Sequence, residues 1–305
     1  MKILPAVLGC CALACCLAPV SVQSAPTETA VWTATTWKGD RAYELTAANW
    51  RAVVSVDRGR LVHFGPVGEG AANLLFETDS REDRFSWGGH RVWLGPQSLW
   101  GWPPPDAWDR AAAETVVVAD GRLEQLMPDA GGGYPRFTRI YEPADGRLAC
   151  RIAVAAGGTR AVQVMQILQT PVTTTVDLQP GPTTQWPRGY CRVGGSSGPM
   201  LRPDLPVPAI VTEIPGGVRL AYNGRSDKLG FPPQTLVANL GAHRLHLAFG
   251  ESRGPEVAAP DAGFYTQVYT GNPGSPVVEL EQLSPQWAAG AAAEFSMYIE
   301  LTAVR

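Results

Sequence analysis

The feature that most limits what this chain can fold into is a two-residue alternation of apolar and polar side chains. It runs along most of the sequence and is cut every 8 to 12 residues by turn-forming dipeptides. RAYELTA from Arg41, RAVVSVDRG from Arg51, RLVHFGP from Arg60 and RLACRIAVAA from Arg147 carry it. So do AVQVMQILQTPV from Ala161, GVRLAYNG from Gly217, HRLHLAFG from His243, GFYTQVYTG from Gly263, SPVVELEQLSP from Ser275 and AEFSMYIELTAV from Ala293. Successive side chains of a strand point to opposite faces, so this period predicts strands. Many short strands at this spacing predict an all-β sandwich or barrel. The 33 glycines and 27 prolines agree with frequent turns. The best helical stretch, PDAWDRAAAE from Pro105, is short. Residues 179–209 break the alternation and read as a long Pro/Gly-rich excursion, the kind of loop that carries function or disorder.

The N-terminus reads as a targeting segment. Lys2 precedes the apolar run ILPAVLGCCALACCLAPV, and Val22 and Ser24 satisfy the small-residue rule for cleavage before Ala25. The expected organisation is a signal peptide at 1–24 and one β-sandwich domain at 25–305, exported to the periplasm or the exterior. The competing reading is a lipoprotein modified at Cys15. Cleavage removes four of the six cysteines and leaves Cys150 and Cys191, a candidate disulfide pair in an oxidising compartment. No transmembrane span is expected after cleavage.

The formal net charge of −3, with no basic run longer than a pair, argues against nucleic acid and anionic membrane surfaces as partners. GGSSG at 194–198 matches the G-x-S-x-G pattern around Ser196. A nucleophile elbow needs a helix after the serine, and PMLRPDLPVP cannot form one, so a loop is the better reading. His243 and His246 in HRLH are three apart, so on a strand they face opposite ways and do not chelate a metal. His63 lies in an apolar strand and reads as structural. Glu279 and Glu281 are two apart, so a strand places both on one face, with carboxylates roughly 6 to 7 Å apart. Such a pair serves acid–base chemistry or forms a solvated strand face. GGHRVWLGPQSLWGWPPPDAWD, from Gly88 to Asp109, joins His90, Arg91, four tryptophans and three consecutive prolines. It reads either as core or as a stiff platform on which indoles stack against sugar rings while Arg and His bond hydroxyls.

Taken together, VDRGRLVHFGPVGEGAANLLF, GGHRVWLGPQ, the WPPP loop, RIYEPADGRLACRIAV, SDKLG at 226–230, GFYTQVYTG and the final VELEQLSPQWAAGAAAEFSMYIEL resemble a bacterial domain-of-unknown-function family with the galactose-mutarotase-like fold. The resemblance covers nearly all of the chain after residue 24 and implies a β-supersandwich with a carbohydrate cleft. In the wider superfamily, aldose 1-epimerases use a C-terminal strand glutamate as base and a mid-chain histidine as acid. The resemblance points to Glu281 as that glutamate, with Glu279 beside it, and to Arg91 as a sugar-binding arginine. The epimerase histidine has no counterpart, because no histidine lies between His90 and His243. His90 or Lys228 would then supply the acid.

These readings define the expected function. The first is an exported carbohydrate-binding protein, with Trp93 and Trp102 stacking on the ligand and Arg91, His90, Asp227 and Lys228 bonding its hydroxyls. The alternative is an epimerase- or lyase-type enzyme with Glu281 as base. A serine hydrolase through Ser196 and a structural module complete the set. The expected ligand is a small molecule or oligosaccharide; neither cofactor nor metal is called for.

Overall fold

A computed structural model describes residues 31–78, 87–184, 186–194, 200–201 and 208–304. The expected signal segment at 1–24, Cys15 and Ser196 lie outside them. Every alternating segment named above contains a strand. Two antiparallel sheets dominate. One has seven strands in the order Met200–Leu201, Cys191–Gly194, Asp227–Phe231, Thr266–Thr270, Val278–Leu283, Gln163–Thr170 and His90–Gly95. The other has ten, with His243–Arg253, Ala293–Ala303 and Arg147–Val154 near its middle. A four-stranded meander over Thr33–Pro66 packs beside them.

The alternation explains the packing. On the seven-stranded sheet, Leu168, Leu229, Phe231, Val268 and Leu280 share one face and are fully buried. They form one core with Leu148, Cys150, Leu245, Leu247, Met297 and Ile299 of the ten-stranded sheet. Burying a side chain of this size stabilises by roughly 1.5–3 kcal/mol, so the fold is fixed by these two facing layers. The opposite face of the seven-stranded sheet carries a group of charged and polar residues and is the candidate site.

The described part of residues 179–209 includes two strands. Cys191–Gly194 and Met200–Leu201 extend the seven-stranded sheet at its edge. Cys150 and Cys191 belong to different sheets and are separate buried thiols, not a disulfide. The PDAWDRAAAE stretch yields one helical turn, Asp106–Asp109. Among the described residues no helix is long and apolar enough to cross a membrane.

Candidate functional site

Strand register decides which of the expected residues meet. Ile167 lies between Arg91 and Glu281, and Gln169 opposite Glu279. Across the next pairings Glu281 faces Gln267, Glu279 faces Tyr269, and Tyr269 faces Lys228. Directly opposed residues of an antiparallel pair share a face. Arg91, Trp93, Gln169, Glu279, Glu281, Gln267, Tyr269 and Lys228 therefore occupy one face.

Their contacts are direct. The Lys228 ammonium is 2.7 Å from Glu281 Oε2. Gln169 Nε2 donates to Glu279 Oε1 at 2.7 Å, and Arg91 Nη1 reaches the same oxygen at 3.5 Å. Gln267 Nε2 donates to Asp261 Oδ2 at 2.6 Å and to the Phe264 carbonyl at 3.1 Å. Glu281 and Arg91 are buried, while Lys228 and Tyr269 reach the surface at the rim.

Burial raises the Glu281 pKa to about 6; Lys228 opposes the rise and Glu279 adds to it. Burial alone would lower the Lys228 pKa, but Glu281, Asp261 and Glu279 reverse this and hold it raised. The two groups thus form an ion pair at neutral pH, its carboxylate buried and its ammonium partly exposed. Glu281 is a carboxylate poised near the range that general bases use.

Asp109 is the organiser that sequence reading missed. Its carboxylate accepts from Arg91 Nε at 2.8 Å, from Arg91 Nη2, and from Trp93 Nε1 at 3.1 Å. Arg60 pairs with it from behind at 3.2 Å. Burial pushes the Asp109 pKa up, but Arg91 and Arg60 hold it well below the usual carboxylate value. The only signal was its place at the end of the tryptophan-rich stretch.

Gly88 and Gly89 place the strand that carries Arg91. Both take positive φ, 73° and 77°. A Cβ on Gly88 would lie 1.7 Å from the Phe76 carbonyl oxygen, and one on Gly89 2.1 Å from that of Leu61. Only glycine fits either position.

Three expected site residues need correction. His90 and Asp227 lie on the opposite face, because each is next in sequence to a residue of the polar face. His90 is fully buried, with Nδ1 3.3 Å from the Tyr141 hydroxyl. Burial, then Arg139 and Arg60, holds its pKa well below 6.5, so it is a neutral core histidine and not the acid. Asp227 pairs with Arg192 away from the polar face. Trp93 is on the right face but is not a stacking surface. It is 4% exposed, with Trp100 and Trp102 edge-on at 5.6 and 6.0 Å. Trp102 is 56% exposed.

His243 and His246 face opposite sides as expected, with His246 bonded to Thr302. Among the described residues no cluster of His, Cys, Asp or Glu is arranged to hold a metal.

No family model and no curated protein matches the sequence. Solved structures do match. A provisionally named aldose 1-epimerase from Escherichia coli K12 superposes with a TM-score of 0.59 at 12% identity, over 86% of this chain and 99% of that one. A galactose mutarotase-like protein from Lactobacillus casei ATCC 334 gives 0.58 at 10% identity, over 86% and 100%. A second such protein, from Clostridium acetobutylicum, gives 0.54 at 8% identity, over 91% and 100%. The chain has the galactose-mutarotase-like fold. At these identities the likeness fixes the architecture and leaves the chemistry to be argued from the site.

Proposed function

We propose that this is an exported carbohydrate-binding protein whose site is the polar face of the seven-stranded sheet. One observation carries the reading: Arg91, Glu279, Glu281 and Lys228, drawn from three separated stretches of sequence, meet on one face and are joined through charged contacts. Trp102 stands exposed at the end of that face, against Trp93. Buried charged groups beside an exposed indole are what a polyhydroxylated ring requires, with hydrogen-bond partners for its edge and a flat apolar surface for its face. The mutarotase-related names of the structural neighbours agree with a sugar ligand. The test is a tryptophan-fluorescence titration of residues 25–305 with mono- and oligosaccharides. A saturable change that Trp102→Ala weakens at least tenfold supports the reading. A saturable change unaltered in Trp102→Ala removes that residue from the site.

A second reading, an epimerase-type enzyme, is favoured by the Lys228–Glu281 contact and by the raised Glu281 pKa. Glu281 would take the anomeric hydroxyl proton, and Lys228 would protonate the ring oxygen. Anomer exchange followed by NMR tests it. A wild-type rate above buffer that Glu281→Gln abolishes supports turnover; a rate equal to buffer leaves binding alone.

A further inference from the structure

Exposure divides the charged cluster on the seven-stranded sheet unequally. The side chains of Arg91 and Glu279 are 4% and 9% exposed. That of Glu281 is 1% exposed and that of Lys228 19%. Arg91 already donates from Nε and Nη2 to Asp109 and from Nη1 to Glu279. Glu279 Oε1 also accepts from Gln169. Glu281 Oε2 is buried beneath the Lys228 ammonium. Of the four, Lys228 is the one that stands at the rim with hydrogen-bonding capacity left.

An ammonium has three donors. This one lies 2.7 Å from Glu281 Oε2, its single ion pair among the described residues, so donors remain for the oxygens of a ligand. Asp261 and Glu279 lie near enough to favour its charged form as well.

Register shows how the contact is built. Lys228 lies opposite Tyr269, and Tyr269 opposite Glu279. Glu281 is two residues further along the Glu279 strand, opposite Gln267. The Lys228 side chain therefore reaches diagonally across the strand Thr266–Thr270 to meet it. Glu281 belongs to Val278–Leu283, whose six residues are all buried, with a paired strand on each side. It is a fixed anchor for a flexible side chain. A rim lysine without such an anchor samples many rotamers, and ordering it on ligand binding opposes affinity. Glu281 imposes that order in advance.

We infer that Lys228 is the group through which this cluster meets a ligand, and that Glu281 is a positioning residue, acting on the ligand only by holding the ammonium. The inference rests on the carbohydrate reading above and assigns roles within that site. The ammonium donates to ring or hydroxyl oxygens of the saccharide. A general base must reach the proton it takes. Glu281 as placed does not, so the assignment favours binding over turnover at Glu281.

The sequence supplies a clean probe. Lysine occurs only at Lys2, Lys38 and Lys228, so residues 25–305 carry two. Lys38 lies at the first turn of the four-stranded meander, paired with Glu77. Protein labelled with carbon-13 at lysine Cε gives a signal for each, assigned with Lys38→Arg. The probes are glucose, galactose, maltose, cellobiose and lactose at pH 7, with binding followed in parallel by tryptophan fluorescence. The inference expects a probe that binds to shift the Lys228 signal and leave the Lys38 signal in place. A double-mutant cycle on the same probe assigns Glu281 its role. Lys228→Met should weaken affinity about tenfold and Glu281→Gln about fivefold. Adding Glu281→Gln to Lys228→Met should cost less than about twofold more. A probe that binds without moving the Lys228 signal, or a Glu281→Gln loss that persists in full without Lys228, overturns the inference and leaves the carbohydrate site standing. The labelled wild type needs no substitution at the site, so it decides even where Lys228→Met does not fold. Absence of binding by every probe, in fluorescence and in the lysine signals, overturns the inference together with the carbohydrate reading.

Discussion

The ammonium of Lys228 lies 2.7 Å from the carboxylate of Glu281, on the same face of a sheet whose other side is the hydrophobic core. The carboxylate is out of water and the ammonium is partly exposed at the rim, and each partner favours the charged form of the other. Removing Lys228 leaves the buried Glu281 charge uncompensated, which costs about 3–5 kcal/mol. Lys228→Met should therefore destabilise the protein by that amount in chemical denaturation at pH 7. A loss under 1 kcal/mol would mean that the pair is solvated.

Glu281 gives a pH signature. Its folded pKa, about 6, stands above the ordinary 4.5. Between those values the folded chain holds the proton more tightly than the unfolded chain, so this group's contribution to stability falls as pH rises through the window. At about 1.4 kcal/mol per pKa unit the change is about 2 kcal/mol. Thermal melts of wild type and Glu281→Gln from pH 4.5 to 7 should diverge, the wild type losing more stability over that range. Parallel curves would contradict the assigned ionisation.

Asp109 should behave in the opposite sense. Its pKa is lowered by Arg91 and Arg60 against the effect of burial, so the stability it contributes is present above the ordinary value of 3.8 and is lost as pH falls below it. Asp109→Asn should cost about 3–5 kcal/mol at pH 7 and flatten the acid limb of the stability curve. It should also weaken ligand binding, because it releases Arg91 and Trp93.

Trp102 and Trp93 should separate cleanly on substitution. Trp102 is more than half exposed, so Trp102→Ala should change stability by about 1 kcal/mol or less. Trp93 is buried against Trp100 and bonded to Asp109, so Trp93→Ala should cost about 3–5 kcal/mol. Denaturation midpoints of the two variants check this directly.

Gly88→Ala should cost about 2–4 kcal/mol, since it adds backbone strain and a clash with the Phe76 carbonyl. A near-neutral melting point would show that the turn before His90 has room to shift.

The sheets were legible because two-fold alternation is a local property. It located ten of the strands, put Glu279 and Glu281 on one face and separated His243 from His246. The same rule separates His90 from Arg91 and Asp227 from Lys228, and in each pair only one partner can face the site. Asp109 and Gln169 were hidden for different reasons. Asp109 comes from a one-turn helix whose position depends on packing across the sheet. Gln169 sits in the continuously buried strand Gln163–Thr170, where a polar residue looks like an exception until register sets it beside Glu279.

The central claim, that the polar face of the seven-stranded sheet binds a saccharide, is tested most directly by thermal-shift screening of residues 25–305 against mono- and oligosaccharides, with Asp109→Asn in parallel. A ligand at a hundred times its Kd adds about 2.7 kcal/mol of apparent stability. The account predicts a selective rise in Tm for the wild type that is lost in the folded variant. A flat response to the whole panel from well-folded wild type, or a rise of equal size in the variant, would contradict it.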